Sequence, residues 1–262
     1  MLACRSPILL LALALAGMLH CQTVAQRPDV KLDSGKRTWS LFTEYSPGSS
    51  HIILGYSRQR EFVAFGVGFT QKFFESRFLS LAYRAEIRPV MVESDPVLTG
   101  DYYNINLPAI GQDPPLQASG YYHLPHKEPV ISAAPKAVDY SFTYQGQTYY
   151  QDYTLIYGRR WTYAGGLNPA GLQAKFLPRS RIQPELSLMT GFTVSTRDIP
   201  VFNSSAFNLT FSVGAGFDLL HTPGRSVRLE YRIQHLSNAD LHTSTDPGID
   251  SQFIHVGYNW GR

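Results

Sequence analysis

Long stretches of the chain alternate between apolar and polar residues. The clearest is AFNLTFSVGAGFDLL at residues 206–220, where from Phe207 to Leu219 every second residue is apolar and the residues between are polar or glycine. Successive side chains of a β-strand point to opposite faces, so this period of two predicts a strand with one apolar face. Residues 61–71, 78–88 and 185–195 repeat the pattern. The chain lacks helical periodicity and is predicted to be all-β.

The polar face of these strands indicates where they lie. The predicted strands are longer than the usual five or six residues of soluble proteins, and their second face carries Arg, Glu, Asp and Gly. A soluble sandwich also alternates, but long strands with charged second faces and short turns such as PRSR and TPGR are typical of a membrane barrel with lipid outside and a polar interior. Because bilayer hydrocarbon offers no hydrogen bonds to the backbone, such a sheet must close.

The predicted fold is therefore an eight-stranded antiparallel transmembrane β-barrel of the outer membrane with one long extracellular loop. An eight-stranded barrel is filled by side chains and forms no pore. Short turns lie on the periplasmic side of such barrels, so the connections 92–159, 197–205 and 239–249 are expected outside. The strands are predicted at roughly residues 38–46, 55–71, 78–91, 160–176, 182–196, 206–221, 226–238 and 250–260.

The connection 92–159 is much longer than a barrel needs. It is rich in tyrosine and proline and shows no evident regular structure. Loops of this length are usually either functional or disordered. Two interpretations stay open, a lid or binding loop and a locally disordered excursion.

The N-terminus predicts export. Residues 1–25 carry Arg5, an apolar run and a small-residue step ending at Ala25, as in a secretory signal peptide. An uncleaved anchor and lipid attachment at Cys21 are the alternatives. Residues 26–37 would then be a linker and 38–262 the barrel. With 16% charged residues and a net charge of +3, the chain has no nucleic-acid footprint.

One strand breaks its own pattern in a way that suggests chemistry. In VRLEYRIQHLSNAD, residues 227–240, the apolar face continues up to Ile233 and then receives His235 and Ser237. This strand begins at the periplasmic turn TPGR, so its other end lies at the cell-surface side of the membrane. Both residues are therefore expected at the boundary of the outer leaflet, facing out of the barrel. By the same alternation, Asp250 at the start of the next strand also faces outward.

A hydroxyl, an imidazole and a carboxylate at one place are what nucleophilic acyl transfer requires. Serine is a weak nucleophile until a base removes its proton, and the base needs an acid to orient it and stabilise its charged form. Polar residues are, however, inexpensive near the membrane interface, so alternation alone leaves a purely structural role open.

The segments RIQHLSNADL, DPGIDS and GYNW resemble the signature of the outer-membrane lipid A 3-O-deacylase family, the acyloxyacyl hydrolase-like barrels. The resemblance covers residues 231–258, with looser agreement in GLNPAGLQAKF and RIQPELSL. It implies a barrel that hydrolyses the ester linking a hydroxyacyl chain to the lipid A of lipopolysaccharide, without metal or cofactor.

The resemblance also implies roles for individual residues. Ser237 would be the nucleophile, His235 the base, Asp250 the acid and Asn238 a contributor to the oxyanion hole. The family usually has a glutamate one residue nearer to the histidine, and Asp240 stands here in place of a glycine. Asp246 is a second candidate acid, although it precedes Pro-Gly and fits a turn.

Two further features complete the expectations. Arg159 and Arg160, flanked by Tyr157 and Trp161, could bind lipid phosphates or could form a solvated pair beside an aromatic belt. The histidines show no metal-ligand spacing, so no metal is expected. Besides the lipid A esterase, two interpretations remain open: a non-catalytic barrel for adhesion or envelope integrity, and a phospholipase or acyltransferase acting on glycerophospholipid.

Overall fold

The computed structural model describes residues 36–48, 60–109, 113–129, 137–199, 204–239 and 248–261, apart from the side chains at 126–129 and 221. These residues form ten β-strands: β1 (Arg37–Ser46), β2 (Glu61–Glu75), β3 (Leu79–Leu107), β4 (Leu116–Pro129), β5 (Ala137–Tyr144), β6 (Gln147–Phe176), β7 (Ile182–Ile199), β8 (Ser205–Thr222), β9 (Arg225–Ser237) and β10 (Ile249–Gly261). Within these ranges, no helix is long and apolar enough to cross a membrane.

Eight of the strands close into a ring. Every neighbouring pair is antiparallel, in the order β1, β2, β3, β6, β7, β8, β9 and β10, and β10 pairs back with β1. The eight predicted strands correspond to these eight, and the predicted fold class is confirmed. The predicted start of the second strand at residue 55 and the signal peptide at 1–25 lie outside the described residues.

The wall of the ring is apolar outside and charged inside. Leu41, Val213 and Ile254 are about half exposed, whereas Arg84, Arg88, Arg232, Glu44, Glu86 and Glu230 are buried in the interior. This is the reverse of a soluble protein, and it matches a wall in contact with lipid. The barrel therefore spans the outer membrane.

Charge pairs fill the interior. Glu44 accepts hydrogen bonds from Arg88 Nε and Arg232 Nη1, both at 2.6 Å, and lies 3.0 Å from His255 Nδ1. Arg232 also reaches Glu86 at 2.9 Å. Each of these buried charges thus has partners of opposite sign, which compensates its desolvation and leaves the barrel packed.

The connection 92–159, in which no regular structure was evident from the sequence, contains β4, β5 and the outer parts of β3 and β6. β3 and β6 continue past the barrel as one pair, β4 pairs along β3, and β5 pairs along β6. We call this four-stranded extension the tongue: residues 98–107 of β3, β4, β5 and residues 147–158 of β6. It stands at the end opposite the short turns and is therefore extracellular.

Candidate active site

The register of β9 and β10 brings the predicted base and acid together. His235 lies directly opposite Asp250 in this antiparallel pair. Residues directly opposite one another have side chains on the same face of the sheet, with their Cβ atoms close together. Two residues that are 15 positions apart in sequence are thus neighbours at the rim of the barrel.

A hydrogen bond joins these two side chains. His235 Nδ1 lies 2.8 Å from Asp250 Oδ1, so the aspartate reaches the ring although it is shorter than a glutamate. The carboxylate is almost completely buried, and a quarter of the imidazole is exposed. A carboxylate at Nδ1 favours the tautomer with the proton on Nδ1, which leaves Nε2 able to accept a proton.

Ser237 ends β9 on the same outward face as His235. Its hydroxyl oxygen accepts a hydrogen bond from the backbone N–H of Ala239 at 3.1 Å, and Ala239 has a left-handed backbone with φ of 53°. Ser237 and His235 are both described, and no hydrogen bond joins them. A serine hydroxyl can rotate about the Cα–Cβ bond, and catalytic hydrogen bonds often tighten only when substrate is bound.

Asn238, the residue predicted to contribute to the oxyanion hole, comes directly after Ser237. It is completely buried and takes part in at least one interaction. Burial restricts its movement, which is a property that a hydrogen-bond donor to an oxyanion would need.

Gly248 is a neighbour of the histidine that the sequence analysis did not single out. Its φ is 63°, and a Cβ atom at this position would lie 2.8 Å from His235 Cε1 and 3.4 Å from Nε2. The backbone therefore packs against the edge of the imidazole, and only glycine fits without displacing the ring. In the sequence, the signal that could have identified this residue is a glycine two positions before Asp250, the predicted acid.

Apolar side chains surround the polar groups on the outer wall. On β8, Phe211 lies opposite His235 and Leu209 lies opposite Ser237, and both are more than 40% exposed. Ile233 and Tyr231 continue the face of β9 away from the rim. The site thus lies at the upper end of a strip that can contact an acyl chain.

Comparison with known proteins bears on the kind of site this is. The family model described as lipid A 3-O-deacylase (PagL) matches residues 136–259, a range that contains Ser237, His235 and Asp250. The match covers just under half of the chain and supports the family resemblance that the sequence signature indicates. The family implies lipid A deacylase activity in the outer membrane of Gram-negative bacteria, with lipid A as the substrate.

Other comparisons are more distant. No curated protein matches the chain. Neisserial surface protein A has a similar solved structure, with 11% identity, a TM-score of 0.40, and coverage of 86% of this chain and 97% of that one. OprG from Pseudomonas aeruginosa has 12% identity, a TM-score of 0.36, and coverage of 89% and 100%. Likenesses at these values carry no functional conclusion.

The two arginines considered for binding lipid phosphates, Arg159 and Arg160, do not lie beside Ser237, His235 and Asp250. Both are on β6, and β7 and β8 separate that strand from β9. Arg160 points into the barrel and bonds Asp95 at 3.0 Å, which does not favour contact with lipid. Arg159 faces outward, is about one-third exposed and pairs with Glu61 at 3.3 Å.

An apolar cluster supports the site from inside the barrel. Leu236, the residue between the predicted base and nucleophile, packs with Ile199 and Ile249, and all three are buried. Because the interior elsewhere is mostly polar, this cluster forms a local hydrophobic floor, that is, an apolar layer on the inner side of the wall behind the site.

The remaining candidates do not converge on a metal centre. Across the described part of the chain, no group of three or more His, Cys, Asp or Glu side chains could hold a metal ion. His255 lies inside the barrel against Glu44. Asp240 and the alternative acid Asp246 lie outside the described residues.

Proposed function

We propose that the protein is a serine esterase that removes an ester-linked hydroxyacyl chain from lipid A. One observation carries the proposal: the 2.8 Å contact between His235 Nδ1 and Asp250 Oδ1, on the outward face that Ser237 shares. An imidazole fixed in this way beside a serine is the arrangement that activates the hydroxyl as a nucleophile.

The proposed reaction begins with proton transfer. His235 Nε2 takes the hydroxyl proton of Ser237 as Oγ attacks the ester carbonyl, and Asp250 stabilises the resulting imidazolium without taking up the proton itself. The carbonyl oxygen becomes an oxyanion, to which Asn238 would donate a hydrogen bond. A donor in this position can lower the barrier by about 3 to 4 kcal/mol.

Collapse of the tetrahedral intermediate breaks the ester bond. The sugar hydroxyl of lipid A leaves with the proton from His235, and the acyl chain stays on Ser237. Water then attacks this acyl-enzyme, again with His235 as the base, and the carboxylic acid is released. Both halves use the same three side chains.

The outward direction of the site fits a membrane lipid as substrate. The ester bonds of lipid A lie at the boundary between headgroup and hydrocarbon, which is the level of the rim where β9 ends. An acyl chain can lie along Phe211 and Ile233 while its ester reaches Ser237. The substrate is thus met within the leaflet and needs no extraction.

The test compares lipid A from cells that express the wild type or Ser237→Ala, with both proteins confirmed as folded in the outer membrane. In cells with the wild type, the mass of lipid A should decrease by that of one hydroxyacyl group. The variant should lose activity by roughly 10⁴-fold or more. Ser119→Ala, an exposed serine of the tongue, is the matched control and should act like the wild type.

Unchanged lipid A with the wild type would refute the proposal and favour a non-catalytic barrel. Release of fatty acid from glycerophospholipid, with lipid A left intact, would instead indicate a phospholipase. Full activity of Ser237→Ala would exclude this serine as the nucleophile.

A further inference from the structure

The two faces of the tongue differ in chemistry. Tyr103, Tyr153 and Val138 form one row across three strands, and the neighbouring row contains Asn104 and Asp152. Neighbouring rows of a sheet point to opposite sides. The same alternation holds along β5, where Tyr140, Phe142 and Tyr144 share the face of Val138. One face of the tongue is therefore apolar and aromatic, and the other is largely polar.

The apolar face continues the lipid-facing wall of the barrel. Along β6, Trp161 and Tyr163 are more than half exposed on the outside of the barrel, whereas Thr162 is completely buried inside. The pairing of β6 with β3 shows no extra residue on β6 between residues 150 and 164. Tyr157 and Tyr153 therefore face the same way as Trp161, and the apolar face of the tongue points outward above the membrane.

This outward face is open. Tyr140 is 60% exposed, Tyr122 51% and Val138 49%. Five residue rows cross all four strands, and further rows cross two or three of them. With strands about 4.8 Å apart and rows about 3.3 Å apart, the face is on the order of 400 Å². Exposed apolar patches of this size usually mark a binding surface.

We infer that the outward face of the tongue binds the saccharide part of lipopolysaccharide in the surrounding leaflet. The layer that borders a barrel wall directly above the acyl chains consists of the sugars of this lipid. A stable protein interface buries about 800 Å² on each partner, which is more than this face offers. Tyrosine rings suit sugars because the ring stacks on C–H faces while the hydroxyl forms hydrogen bonds.

At the end of this face nearest the membrane, Arg159 is placed where the phosphates between sugar and lipid would lie. Arg159 lies between Trp161 and Tyr157 on β6 and faces outward with them. Its ion pair with Glu61 is partly exposed, at 35% for Arg159 and 46% for Glu61, and exposed pairs contribute little stability. Arg159 Nε also donates a hydrogen bond to Ser94 Oγ at 2.9 Å, which holds the side chain on the outer wall. Arg159 can therefore exchange Glu61 for a headgroup phosphate, with the sugars above it on the tyrosines.

This binding surface is separate from the proposed esterase site. The tongue rises from β3 and β6, and β7 and β8 lie between β6 and β9. The lipid bound there is thus a neighbour of the one being hydrolysed. Because sugars surround the face at high effective concentration, a weak intrinsic affinity is sufficient to keep it occupied.

The test uses the full-length protein in detergent micelles and the oligosaccharide released from lipopolysaccharide by mild acid, which lacks lipid A. NMR titration should show binding to the wild type, and Tyr140→Ser should weaken it by about 3- to 10-fold. The matched control is Tyr121→Ser, which removes a tyrosine that is 70% exposed on an edge strand but on the polar face, and binding should be unchanged. Tyr153→Ser and Tyr150→Ser form a second pair, on opposite faces of β6.

Failure of the wild type to bind the oligosaccharide, or equal losses from both members of a pair, would overturn the inference. Light scattering supplies another decisive outcome, since a wild-type dimer that Tyr140→Ser converts to a monomer would mean that a second copy covers the face. Hydrolysis of lipid A is measured separately, so failure of the esterase proposal would leave these binding results interpretable.

Discussion

Replacing Gly248 by alanine should slow deacylation while leaving the barrel folded. The added Cβ would lie 2.8 Å from His235 Cε1, whereas carbon atoms in contact are about 3.5 to 4.0 Å apart. The ring must therefore move by roughly 1 Å, away from the position in which Nδ1 bonds Asp250. A misplacement of about 1 Å in a catalytic group can cost on the order of 10²-fold in rate.

The same substitution also strains the backbone, and a control separates the two effects. A left-handed conformation costs alanine about 1 kcal/mol. Gly146, in the turn between β5 and β6, has φ of 78°, and a Cβ atom added there would meet no atom of the described residues within 4 Å. Gly146→Ala therefore carries similar strain without a contact to the histidine.

Release of the hydroxyacyl chain from purified lipid A, followed by mass spectrometry over time, gives the rates. Folding is checked by the shift in electrophoretic mobility between heated and unheated samples. We expect Gly248→Ala to be about 10²-fold slower and Gly146→Ala to match the wild type. Equal activity of the two folded variants would refute the claim that the backbone at Gly248 positions the imidazole.

Three further substitutions test the site and its support. Asp250→Asn should reduce kcat by between about 10² and 10⁴-fold because the amide can hold His235 in the wrong tautomer. The rate is measured as a function of pH, and wild-type activity of the variant would contradict this expectation. Leu236→Ala should lower the free energy of unfolding by about 2 to 4 kcal/mol through a cavity under the site, as urea unfolding would show, and an unchanged midpoint would argue against the hydrophobic floor. Glu44→Gln should destabilise the barrel by about 3 to 5 kcal/mol because Arg232 loses a buried counter-charge, and a wild-type unfolding curve would show that the interior charges are not coupled in this way.

The residues of the tongue show why part of the fold escaped prediction. Along β5, Val138, Tyr140 and Phe142 alternate with Asp139 and Ser141, so the period of two was present in the sequence. Prolines and glycines elsewhere in 92–159 and tyrosines on both faces concealed it, because a tyrosine fits either a wet or an apolar surface. The continuous pairing of β3 with β6, which makes the strands 29 and 30 residues long, depends on contacts far apart in the chain.

The site was predictable to the extent that it depends on strand alternation. The shared face of His235 and Ser237 follows from their spacing of two, and the outer end of their strand follows from the short turn before it. The approach of Gly248 to the imidazole and the inward direction of Arg160 were not predictable, since both depend on how separate strands and turns pack.

The sequence by itself determined the all-β class, the eight strands of the barrel, the apolar outer wall and the family resemblance, because alternation and a local signature depend on neighbouring residues. The tertiary structure decided the rest. The register of β9 against β10 placed Asp250 2.8 Å from His235, and closure of the ring put the tongue and the site on different strands. Such distances are properties of the closed sheet, since hydrogen bonding between strands that are remote in sequence sets which side chains meet.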